Sequence, residues 1–137
     1  MANTETREPL SSTQRRLLAS NGGTESISTT YAVVIDTLDI ELYDRTTIQF
    51  RNADGQAQTA QVWGSIYPSP GDVGTTTTPA SSYWVQIGDD IAIGATSSAL
   101  KSISTTGLRR LAVRLKTASG TPTLAVDQVL VHCQGTV

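Results

Sequence analysis

The chain has 137 residues, of which 38% are hydrophobic and 16% charged, and a net charge of −2. That length is one domain with a sizeable core. The missing basic surplus excludes nucleic acid as a main partner, and no segment approaches the ~20 apolar residues of a membrane span.

The sole cysteine, Cys133, rules out an internal disulfide, so packing alone must hold the fold. Thr and Ser are abundant while Lys and Glu are scarce, a balance that suits strands rather than helices. Residues 1–28 read as a polar N-terminal arm. Within it, Ser11 to Ala19 is expected to form a helical turn or two, with Ser12 as cap and Leu17-Leu18 as an apolar anchor. Asn21-Gly22-Gly23 then breaks the pattern. No apolar run resembling a signal peptide occurs between Met1 and Leu18, so the expectation is a chain kept inside the cell until release.

From Thr29 onward the apolar period is two, the period of a strand. Tyr31 to Ile35 leads into Ile40 to Tyr43, and Thr46 to Phe50 follows. Asp54-Gly55 reads as a hairpin turn that returns the chain along Ala57 to Tyr67. Pro68 to Ala80 is a long loop whose two early prolines and two glycines forbid a ladder strand at its start. Strand pattern resumes at Ser82 to Ile87, turns at Gly88-Asp89-Asp90, and continues through Ile91 to Ile93 and Leu100 to Ser104. Thr106-Gly107 makes a corner before Leu108 to Lys116, with Leu111, Val113 and Leu115 inward and Arg110, Arg114 and Lys116 outward. A turn at Ala118 to Thr121 precedes a last strand from Thr123 to His132. About eight strands predict an all-β, jelly-roll-like antiparallel sandwich over residues 29–137.

Catalytic equipment is not evident, and the chain is expected not to be an enzyme and to need no metal or cofactor. His132 and Cys133 are neighbours on one strand and face opposite ways, which denies them a dyad. Asp89-Asp90 sits where a turn is expected. Phosphate loops, zinc spacings and nucleophile elbows are missing. Contact residues are the remaining candidates. Leu10, Arg15, Arg16, Leu17 and Leu18 are the arm's candidates for a neighbouring subunit. Trp63, Tyr67, Tyr83 and Trp84 flank the long loop and suit either core packing or an exposed aromatic platform. Arg110 and Arg114 read as a basic stripe that is either a solvated face or an ion-pairing surface.

The order Val34 to Thr37, Thr47 to Asn52, Gln61 to Ile66, Tyr83 to Ile87, Ile103 to Gly107 and Leu111 to Lys116, followed by a Gly-Thr turn, resembles small β-sandwich virion proteins of tailed bacteriophages. The resemblance spans Ala32 to Val131. It implies a head decoration (cement) protein that binds and stabilises the capsid shell, with the major capsid protein or other virion proteins as partners. It also implies a homotrimer, and a location in the virion after assembly in the host cytoplasm. The alternative is a carbohydrate- or receptor-binding module at a fibre or tail tip, resting on the four aromatics.

Overall fold

Alternating apolar residues give ten strands in the computed structural model, which describes residues 3–9, 14–23, 25–75 and 82–136. They are β1 (Thr4–Pro9), β2 (Gln14–Ser20), β3 (Ala32–Asp39), β4 (Arg45–Arg51), β5 (Gln58–Ser65), β6 (Val85–Gln86), β7 (Ile91–Ile93), β8 (Ser98–Ser104), β9 (Arg110–Thr117) and β10 (Val129–Thr136). No helix occurs among the described residues. One sheet runs β1-β2-β10-β4-β8; the other runs β3-β9-β5-β6, with β7 pairing farther along β5. All the pairings are antiparallel. From β2 onward the chain crosses between sheets at every connection except those among β5, β6 and β7, which is the winding of a jelly roll.

The inner faces meet over a core that includes Leu17, Ile48, Phe50 and Val131 from the first sheet and Val34, Ile35, Val62 and Val113 from the second. Cys133 belongs to this core and is fully buried. Burial pushes its thiol up to about 11, a shift that the Thr46 hydroxyl 3.2 Å away only partly offsets.

Four expectations change. Eight strands do follow residue 29, but the preceding segment adds β1 and β2 to the first sheet, and β2 has no helical turn. Leu17 and Ala19, at 0% and 1% exposure, face inward while Arg16 and Leu18 alternate outward. Burial of this phase against β10 prevails over weak local helix propensity. The hairpin expected at Asp54-Gly55 is absent, since β4 pairs with β10 and β8 while β5 pairs with β9. Gly55 lies outside the positive-φ glycines, so this connection changes sheets rather than reversing within one. Ile40 to Tyr43 is a turn, closed by Tyr43 N–H donating to the Ile40 carbonyl at 3.0 Å. The last strand starts later than expected, and Thr123 makes only an isolated bridge to Ser26.

Candidate interaction surface

The two sheets differ in what covers their outer faces. On the second sheet the outward phase of β9 and β5 places Arg114 opposite Gln61 and Ala112 opposite Trp63. The loop leaving β5 folds back over them. Val73 and Trp84 join Trp63 and Ala112 in a second apolar cluster, with Val33 packed against it. The Trp84 indole N–H donates to the Gly71 carbonyl at 3.0 Å, and Arg114 Nη1 donates to that of Gly74 at 3.2 Å. The long loop is thereby pinned at two points.

Arg114 is therefore not on a solvent-facing stripe. It is fully buried, with its guanidinium carbon 4.9 Å from the Trp63 ring and 5.1 Å from the Tyr31 ring. Its Nε and Nη2 donate to Gln61 Oε1 at 3.2 and 2.7 Å, and the Trp63 indole N–H shares that oxygen. Gln61 passes the chain on to Asp90, which also accepts from Gln86 and from the Tyr31 hydroxyl. The Gln86 amide, helped by Gln61 and Tyr31, holds the Asp90 carboxyl below the usual carboxylate range against the opposing effect of desolvation. Desolvation and then the Asp90 charge raise the Tyr31 phenol to about 12. The turn expected at Gly88-Asp89-Asp90 is present, with Gly88 at φ 74°, but Asp90 is also part of this network.

An alkaline weakness follows. Cys133 and Tyr31 both hold their protons more tightly when folded than at their ordinary values of 9.0 and 10.0. Their contribution is complete below those values and is lost as pH rises towards 11 and 12. Urea unfolding should show stability falling steadily over that interval. Cys133→Ala should remove the part of the fall that begins near 9.0; a flat profile would contradict the assignment.

The aromatic group splits in two. Trp63 (7% exposed) and Trp84 (3%) are buried, because the loop supplies an apolar cover that strand alternation cannot reveal. Tyr67 and Tyr83 remain on the surface with ring centroids 4.4 Å apart and planes tilted by 39°. They border a groove of about 480 Å³ lined also by Ile66, Val85, Leu108 and Ser65. Ile66, Tyr67, Tyr83 and Val85 are each about half exposed or more, so four large apolar side chains collect at one end of the second sheet. Ser65 steadies the rim: its hydroxyl accepts from Tyr67 N–H at 3.1 Å and its carbonyl from Arg109 N–H at 2.9 Å. Ile66 and Val85 escaped the sequence reading because their strand phases look inward, yet β5 stops at Ser65 and β6 is only two residues long.

The other candidates are scattered. Leu10 lies outside the described residues. Leu17 is in the chain's own core and unavailable to a neighbour. Arg16 pairs with Glu8 across β1 and β2, and Arg15 lines a shallow hollow with Arg7, Pro9 and Leu42. Leu18 is half-buried on the outer face of the first sheet, in register with His132. Arg110 is tied to Asp39 at 3.1 Å. Among the described residues no group of three or more His, Cys, Asp or Glu is placed to hold a metal ion, and no helix is long and apolar enough to cross a membrane.

No protein-family model matches the chain, and no curated protein matches it. Among solved structures it is similar to a chain of the "Structure of infectious bursal disease virus Gx strain", with a TM-score of 0.37 and 8% identity, over 90% of this chain and 37% of that one. This chain thus spans little more than a third of that chain's length. At that level of similarity the jelly-roll assignment stands on this chain's own strand order.

Proposed function

We propose that the protein is a virion structural protein, a head decoration protein that docks on a capsid shell and stabilises it by contact rather than by chemistry. The observation that carries this reading is the collection of Ile66, Tyr67, Tyr83 and Val85 around one groove, on a base pinned by Trp84 and Arg114. Surface apolar groups gathered on a preorganised base bind a partner at a reduced ordering cost. The jelly roll hosts many unrelated activities, so it supports the reading only as a rigid frame. The order of strand motifs that resembles phage virion proteins supplies the partner class: the major capsid protein, met by many copies, each adding stability through selective binding to the assembled shell. A homotrimer belongs to the same proposal, and light scattering on the purified protein checks it.

Purified protein mixed with expanded empty heads should saturate at a fixed stoichiometry and raise the temperature at which the heads disrupt. Tyr83→Ala should weaken that binding about thirtyfold, the ~2 kcal/mol of an aromatic hot spot, with the protein's own melting temperature unchanged. Saturation that Tyr83→Ala leaves intact would remove the groove from the account, and failure to bind any shell form would remove the decoration role.

The carbohydrate reading loses Trp63 and Trp84 to the interior and keeps only the tilted tyrosine pair. A glycan array probed with wild type and Tyr83→Ala separates it from shell binding.

A further inference from the structure

Of the three asparagines in the chain, only Asn21 precedes a glycine. In a flexible peptide that pair is chemically unstable. The glycine nitrogen, unhindered by a side chain, attacks the asparagine amide carbon. A nitrogen–carbon bond forms, the bond to the amide nitrogen breaks, and ammonia leaves with the glycine proton. Water then opens the resulting succinimide to aspartate or isoaspartate.

The fold blocks each part of this sequence. Asn21 is fully buried where β2 leaves the first sheet. Its amide donates to the Ala125 carbonyl at 2.7 Å and to Glu25 Oε2 at 3.3 Å, and its oxygen accepts from Val129 N–H at 3.0 Å. Its own backbone N–H donates to the Val129 carbonyl at 3.2 Å. The attacking nitrogen, that of Gly22, is occupied by Glu25 Oε1 at 3.0 Å. Rotating the amide towards Gly22 breaks the side-chain bonds together and leaves buried polar groups without partners.

We infer that Asn21 is a latent self-modification site, closed by the fold and fired by unfolding, whose product prevents refolding. Once the amide is a carboxylate, the Ala125 carbonyl faces an oxygen in place of a donor, and the Glu25 carboxylate faces a like charge. In the isoaspartate form the main chain also gains a methylene after the Asn21 Cα, which displaces Gly22 and its N–H from Glu25 Oε1. Unfolding thereby becomes irreversible through a covalent change in the unfolded chain.

The test follows isoaspartate by peptide mapping in the full chain, held at mildly alkaline pH either native or unfolded in urea. The unfolded chain should convert at Asn21 while Asn52, which precedes alanine, stays intact. The native chain should convert at least about 10³-fold more slowly, in line with the rarity of open states in a stable domain. After urea removal, converted molecules should fail to regain the native near-ultraviolet circular dichroism, whereas unfolded molecules of Asn21→Ser, held for the same time, should not lose material in this way. Should that variant not fold, the comparison of converted and unconverted wild-type molecules from one sample decides the same point. Equal rates in the native and unfolded states would overturn the inference, as would converted chains that refold to wild-type stability.

Discussion

Gly135→Ala is expected to cost about 3 kcal/mol or more, or to abolish folding, the range of overpacking where nothing can move aside. Gly135 lies in β10 opposite Arg15. A Cβ there would press into the Leu42 carbonyl oxygen and sit 3.0 Å from the Tyr43 Cα. Both obstacles are backbone, and the turn that holds them is fixed by the Tyr43 to Ile40 bond and by Asp44 N–H donating to the Gln134 carbonyl at 2.8 Å. Thermal unfolding of Gly135→Ala beside Gly55→Ala checks this, because a Cβ at Gly55 meets nothing within 4 Å. The first variant should melt roughly 10 °C lower or more and the second should match wild type. Equal melting temperatures would mean that the turn yields.

Arg114→Ala is the second large effect, expected at about 4 kcal/mol: a cavity beneath two aromatic rings plus polar groups left buried without their donor. Gln61 Oε1 loses two of its donors and the Gly74 carbonyl loses the guanidinium. The loop should loosen along with the general loss of stability. Trp63 and Trp84, the only tryptophans in the chain, both lie beneath it, so their fluorescence should shift to the red under native conditions. Arg114→Lys keeps the charge but not the planar fork that meets Gln61 twice, and should fall between the two. A loss below ~1 kcal/mol for Arg114→Ala, with unchanged emission, would show that the guanidinium does not hold the loop.

The period-two alternation after residue 29 was enough to read two apolar sheet faces and a jelly-roll-like sandwich, and the positive-φ corners at Gly88, Gly107 and Gly120 lie where turns are expected. Misreadings arose where a local signal has two tertiary outcomes. Asp54-Gly55 marks a change of direction, and nothing in the dipeptide says whether the next strand pairs within the same sheet or starts the other one. The outward phase of Arg110-x-x-x-Arg114 is real, but alternation cannot show that a loop from residue 66 onward will cover one of the two arginines and leave the other beside Asp39. The Asn-Gly-Gly break reads as an interruption within an arm of residues 1–28, whereas it closes a core strand whose apolar phase is only Leu17 and Ala19.

The candidate surface was half legible. Tyr67 and Tyr83 stand out in the sequence beside the loop, and the structure brings them into contact. Ile66 and Val85 do not, because their exposure depends on where β5 and β6 stop.

Hydrogen exchange of the protein free and bound to expanded heads tests most directly that this surface is where the protein works. Docking through the groove predicts new protection confined to residues 64–67, 82–85 and Leu108, with β4 and β8 exchanging as in the free protein. Protection spread over β4 and β8 while the tyrosine segments stay unchanged would contradict it.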